Sequence, residues 1–137
     1  MSGLPLEAGN SILIADDSQK ARSTIRYALE RETEFQICGE TMDGVEAVSK
    51  AKELTPDLII IDDRMPRLNG IEAAGILRHT LPKIRILLWT MFAEDISENL
   101  KSVFQIDAVL AKSRGLTELV ASVQEVLANS RHLRLEQ

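Results

Sequence analysis

The residues that could do chemistry stand where short apolar runs end. Ile12-Leu13-Ile14-Ala15 runs into Asp16-Asp17, and Leu58-Ile59-Ile60-Ile61 into Asp62-Asp63. Ile84 to Trp89 ends in Thr90, and Ala108 to Ala111 ends in Lys112. Carboxylates brought together repel one another unless they are protonated or neutralised. A hard divalent cation is the natural neutraliser: Mg²⁺ takes one or two carboxylates, keeps several waters and completes its shell with phosphate oxygens. A lone lysine opposite the acids supplies a point charge suited to a phosphoryl oxygen, and a threonine hydroxyl can donate a hydrogen bond to another. One acid is then left to attack phosphorus, because carboxylates serve as phosphoryl acceptors. The set fits phosphoryl transfer, in which positioning and charge neutralisation supply most of the catalysis.

The elements that must position these residues alternate along the chain. The apolar runs are β-rich and too short for independent helices, which suits strands buried on both faces. Helical faces follow them: Ala21, Ile25, Ala28 and Leu29, then Ala47, Val48, Ala51 and Leu54, then Ile71, Ala74 and Leu77. Ile96, Leu100, Val103 and Phe104 give a fourth face, and Leu116 to Leu127 the strongest. Ser18, Asp43 and Asn69 stand where N-caps belong, with Glu46 three residues after Asp43 as in a capping box. Phe35 to Gly39 supplies the remaining strand. Strand then helix, repeated, predicts an α/β fold with a parallel sheet covered on both faces. Right-handed crossovers leave few topologies, of which the flavodoxin-like, doubly wound (βα)5 order 2-1-3-4-5 is favoured. In such sheets ligands bind at the carboxyl edge beside the point where strand order reverses, between strands one and three. The sequence divides into a flexible leader over 1–10, one domain over 11–128, and a polar tail or linker start over 129–137.

Composition narrows the classes. A chain of 137 residues with 45% hydrophobic and 27% charged residues has the profile of one soluble domain. The net charge of −5 argues against direct nucleic acid binding, which needs a basic surface. The apolar stretches are too short to cross a membrane, and the N-terminus lacks a signal-peptide pattern, so a cytoplasmic location is expected. The single cysteine, Cys38, excludes an intrachain disulfide and reads as a small buried core residue. His79 and His132 have no metal-ligating partner at useful spacing and read as surface residues. Trp89 reads as core, close enough to Thr90 to report metal binding by fluorescence.

In sequence the chain resembles the receiver domains of bacterial two-component response regulators. The resemblance runs from about Ser11 to Ala128 and rests on Ile12 to Asp17, Pro56 to Asp62, Met65-Pro66 with Gly70, Thr90 and Lys112, in that order. It implies that Asp62 is the phosphoacceptor. It implies that Asp17 ligates Mg²⁺ directly, that Asp16 does so directly or through water, and that Asp62 and the backbone carbonyl of Arg64 are further ligands. Thr90 would bind the phosphoryl group, and Lys112 would pair with it or, before phosphorylation, with Asp62. The spacing to Met65-Pro66 selects Asp62 and makes Asp63 a bystander. The implied partners are a sensor histidine kinase or phosphotransfer protein, and an output domain or partner protein that reads a conformational switch. Such a domain is not an enzyme beyond its own phosphorylation and dephosphorylation.

Three positions depart from the family pattern: Val109 replaces an aromatic residue, Ser113 follows Lys112 in place of proline, and bulky Met91 follows Thr90. Met91 is expected beside the pocket, and Arg64 is a candidate for tuning its rates. A trans peptide after Lys112 would aim the lysine differently. Three other readings stand beside the receiver: a pseudo-receiver acting as a phosphorylation-independent docking module, an Mg²⁺-dependent phosphatase-like enzyme, and a flavin carrier. The short connections leave no room for a substrate cap, and Asp16-Asp17 would repel a flavin phosphate. A homodimer through the last helix or the strand-four and strand-five face is compatible with the sequence.

Overall fold

The computed structural model describes residues 10–129. The readings of a leader and a tail therefore fall mostly outside the described residues. At the boundaries, the Asn10 carbonyl accepts a hydrogen bond from Gln36 N at 3.1 Å and the Asn129 carbonyl accepts one from Arg85 Nη2.

Five parallel strands form one sheet in the order β2-β1-β3-β4-β5, as expected. They are β1 (Ser11–Ala15), β2 (Gln36–Thr41), β3 (Leu58–Ile61), β4 (Arg85–Thr90) and β5 (Ala108–Ala111). The helices between and after them are α1 (Gln19–Glu32), α2 (Gly44–Leu54), α3 (Gly70–Thr80), α4 (Glu98–Val103) and α5 (Leu116–Ala128). All four residues of β3 are buried, which explains why its sequence is apolar throughout rather than alternating. Successive residues face opposite sides of the sheet. Leu13, Ile59, Ile61, Ile86 and Leu88 pack with Ala47, Ala51, Ala74 and Leu77 of α2 and α3. Ile12, Ile14, Leu58, Ile60, Leu87 and Trp89 pack with Ile25, Leu29, Leu119 and Val123 of α1 and α5. Each such buried aliphatic contributes roughly 1.5–3 kcal/mol by leaving water.

The predicted caps form. Ser18 accepts from Ala21 N, Asp43 from Glu46 N, and Asn69 from Glu72 N. Glu72 returns a bond to Asn69 N, completing a capping box at α3; the Glu46 carboxylate instead takes the N–H of Met42, one residue before the cap. Cys38 is half-buried against the core rather than fully inside it. The fourth helix differs most from expectation. Its apolar residues are spread beyond it: Ile96 ends a 3-10 turn (Ala93–Asp95), Phe104 caps α4, and Val103 is exposed. No residue of α4 is buried. That side of the sheet is secured instead by Arg78 of α3, whose guanidinium donates to the carbonyls of Phe104, Pro82, Ile84 and Gln105.

The sheet delivers its carboxyl ends with little slack. The ladder continues one residue beyond the strands, with Asp16 N donating to Thr41 O and Asp62 N to Ala15 O, both at 3.0 Å. The start of α3 presses on this edge: a Cβ on Gly70 would lie 2.1 Å from the Asp62 carbonyl oxygen and 2.8 Å from Asp63 Cα. Gly70→Ala must therefore shift backbone and is expected to cost about 2 kcal/mol or more in urea unfolding; a loss below about 0.5 kcal/mol would show that the α3 start yields easily.

Candidate functional site

Lys112 gathers the site. Its Nζ donates to Asp16 Oδ2 at 2.8 Å and to Asp62 Oδ2 at 3.3 Å, joining the ends of β5, β1 and β3. Asp16 and Asp62 are buried, Asp17 is exposed, and one carboxylate oxygen from each lies within 4.8 Å of the others, a spacing that could hold a metal ion. The structure thus brings together Asp16, Asp17, Asp62 and Lys112. No described peptide bond is cis, and Lys112 reaches both acids across a trans bond to Ser113. The 3-10 turn Lys112–Arg114 takes the place of a proline turn there.

Each acid is held by its own chain neighbours. Asp16 Oδ1 accepts from Ser18 N at 2.9 Å, and its carbonyl accepts from Arg22 Nη1 at 2.7 Å. Arg22 is itself buried and paired with Glu40 at 3.1 Å. Sequence reasoning missed Arg22, although it shares a helical face with Ile25 and Leu29 at spacings of three and four, an odd place for an unpartnered arginine. Asp62 Oδ1 accepts from Arg64 N at 3.3 Å. Burial pushes the Asp62 carboxyl up to about 6; Lys112 opposes the shift, and the Asp16 and Asp63 carboxyls add to it. Burial works against the Lys112 charge, but its bonds to Asp16 and the charge on Asp62 outweigh it and raise the ammonium above its ordinary value.

Thr90 ends β4 as expected, but its hydroxyl is bonded to Asp63. The fully buried Thr90 donates its hydroxyl to Asp63 Oδ1 at 2.5 Å, and the Thr90 hydroxyl oxygen accepts from Phe92 N at 3.0 Å. Asp63 is thus engaged rather than a bystander. Arg64 lies 3.9 Å from Asp63 Oδ2 and places its guanidinium 4.1 Å from the centre of the Phe92 ring. Met91 is two-thirds exposed, and the contacts to Thr90 and Arg64 are made by Phe92. Val109 packs against the α2–α3 side of the core. Trp89 is in the core as expected, with the Lys112 ammonium 5.4 Å from its ring centre. His79 is exposed on α3, and His132 lies outside the described residues.

The raised Asp62 carboxyl has a consequence for stability. Between the unfolded value near 3.8 and the folded value of about 6, the native state binds the extra proton, so stability falls as pH rises through that window. In metal-free buffer Asp62→Asn, which mimics the neutral form, is expected to stabilise the fold at pH 7.5 by about 1–3 kcal/mol. The gain should shrink as pH drops through about 6 and vanish near 4. Urea unfolding of both proteins across this range checks it; a difference that stays flat with pH contradicts it.

The chain's sequence matches the family described as "Response regulator receiver domain" over residues 12–124. Response regulator protein VraR of Staphylococcus aureus is 31% identical over 119 residues, covering 83% of this chain and 54% of VraR. The chain therefore spans about half the length of the curated relatives it matches. Among solved structures, a DNA-binding response regulator of the LuxR family from Staphylococcus aureus is similar with a TM-score of 0.80 and 26% identity, over 86% of this chain and 98% of that one. The response regulator domain of Thermotoga maritima CheB gives a TM-score of 0.79 at 26% identity, over 88% and 97%. With that match over residues 12–124, this chain belongs to the response regulator receiver domain family.

Proposed function

We propose that this receiver domain is a phosphoryl-accepting switch. Asp62 takes a phosphoryl group from a sensor histidine kinase or phosphotransfer protein in an Mg²⁺-dependent reaction. An output domain or partner protein then reads the altered β4–β5 face. The single observation that carries this reading is Lys112, bonded at once to Asp16 and Asp62 with Asp17 within metal-sharing distance. A structural lysine needs one acid; here one ammonium and three carboxylates meet at the sheet edge where ligands of this fold class bind.

In the transfer, an Asp62 carboxylate oxygen attacks phosphorus. A new O–P bond forms, the bond from phosphorus to the donor's leaving group breaks with its electron pair, and an acyl phosphate remains. The residues fit a divalent ion: the acid cluster offers hard oxygens, and the Arg64 carbonyl accepts no hydrogen bond from the described residues. Mg²⁺ held by Asp16, Asp17, Asp62 and the Arg64 carbonyl would neutralise charge that builds on the phosphoryl oxygens. Lys112 stands ready to follow the negative charge from the Asp62 carboxylate to the phosphoryl group, and burial of Asp62 excludes much of the water that would compete. Thr90 supplies one hydroxyl donor near the pocket. The location consistent with such partners is cytoplasmic, and no helix among the described residues is long and apolar enough to cross a membrane.

Two measurements test the reading. Incubation with a small phosphodonor and Mg²⁺ should add one phosphoryl group, seen by intact mass, and brief alkali should remove it. Asp62→Asn and chelation of the metal should each abolish the gain. A parent that gains nothing, or an Asp62→Asn variant that gains as much as the parent, would favour the docking-module reading instead. Separately, Mg²⁺ titration should change the fluorescence of Trp89, since the ion must alter the Lys112 contacts beside that ring. Asp17→Asn should weaken the fluorescence-detected affinity by about 10–100-fold, at least the loss usual for outer partners of a metal site. An unchanged affinity would remove Asp17 from the ligand set.

A further inference from the structure

We propose that Asp63 is a positioning residue for the reaction at Asp62: it holds the Thr90 hydroxyl on its own carboxylate until a phosphoryl group competes for it. The inference rests on Asp62 being the phosphoacceptor. It begins with register. Along β3 and β4 every paired residue is offset by the same interval, Leu58 with Arg85 through Ile61 with Leu88, and the Thr90–Asp63 bond keeps that offset of 27. Two residues past the end of β3, Asp63 is thus still level with Thr90, and the two side chains meet across the gap between the loops.

A threonine hydroxyl has one hydrogen to give. Thr90 gives it to Asp63 Oδ1 at 2.5 Å, and its oxygen receives the Phe92 N–H at 3.0 Å. The hydroxyl is therefore committed, and to a carboxylate, the stronger kind of acceptor. The Asp63 side chain is only 11% exposed, so water competes weakly for its oxygens. A second contact closes the same gap between loops: Arg64 lies beside Asp63 Oδ2 and stacks on the Phe92 ring. For Thr90 to serve a phosphoryl group on Asp62, the bond to Asp63 must break. A phosphoryl group brings three strong acceptor oxygens and more charge than one carboxylate, so it can draw the hydroxyl across. Asp63 thereby slows acquisition of the phosphoryl group and keeps the Thr90 loop in one arrangement while Asp62 is unmodified. An aliphatic residue at this position could not do so.

The test separates a held hydroxyl from simple charge repulsion. Phosphorylation by a small phosphodonor with Mg²⁺ is followed by intact mass for the parent, Asp63→Ala, Asp63→Asn, and each change in a Thr90→Val background. Asp63→Ala removes the acceptor and should accelerate phosphorylation about tenfold, the scale of losing one charge-assisted hydrogen bond. Asp63→Asn keeps an acceptor oxygen without its charge and should accelerate the reaction clearly less than Asp63→Ala does. In Thr90→Val, Asp63→Ala should change the rate far less than it does in the parent. NMR of the unphosphorylated proteins should show the Thr90 methyl and Phe92 amide signals moving in Asp63→Ala but little in Asp63→Asn, and thermal unfolding confirms that each variant is folded. Equal acceleration by Ala and Asn, persisting in Thr90→Val, would make Asp63 a charge effect and overturn the proposal, as would no acceleration by Ala. A parent that takes up no phosphoryl group would instead overturn the reading of Asp62, whatever the spectra show.

Discussion

Two acidic strand ends can lie side by side in this domain because one ammonium lies between them. Lys112 bonds Asp16 from 96 residues away and Asp62 from 50 residues away, so three strands meet at one charge. Burying carboxylates without such a partner costs several kcal/mol each. The pairing is incomplete by design of the geometry: Lys112 is closer to Asp16 than to Asp62, and Asp62 keeps a raised carboxyl despite it. A site with more acid than base is poised to take up positive charge or to convert a carboxylate into something the lysine binds better. The ion and the phosphoryl group proposed above do these two things.

The surrounding structure serves that one constraint. Gly70 lets α3 start against the Asp62 carbonyl, Arg22 fixes the Asp16 carbonyl from α1, and Ser18 N holds the Asp16 carboxylate while its hydroxyl caps the same helix. The helix behind each acid is thus tied to the strand in front of it. The far side is looser. Its α4 buries no residue, and the joint between the β3–α3 and β4–α4 loops consists of the Thr90–Asp63 bond and the Arg64–Phe92 stack. Tight anchoring of the acids beside a lightly anchored neighbour is the contrast that the proposed switch would use.

Much of this was legible in the residues. Unbroken apolar runs that end in acids, a threonine and a lysine specify buried parallel strands and their carboxyl edge, and alternation with helical faces leaves few strand orders. The convergence of Asp16, Asp17, Asp62 and Lys112 followed from that order alone. The role of Asp63 did not, because it depends on how β3 and β4 are registered, and single-strand patterns carry no information across strands. Arg22 was hidden by its charge, although its helical position faces the core. The limits of α4 were misread because Ile96 and Phe104 complete an apolar period while the backbone between them forms separate short turns.

Asp62 is proposed to take the phosphoryl group while the adjacent Asp63 does not, and the two are distinguishable by sequencing. Borohydride reduces an acyl phosphate of aspartate to the corresponding alcohol and leaves free carboxylates untouched. After phosphorylation by a small phosphodonor, reduction and proteolysis, fragment masses from the peptide around Ile61 to Arg64 should place the modified residue at position 62, with Asp63 intact. A modification at Asp63, or at any acid outside the Lys112 cluster, would contradict the account.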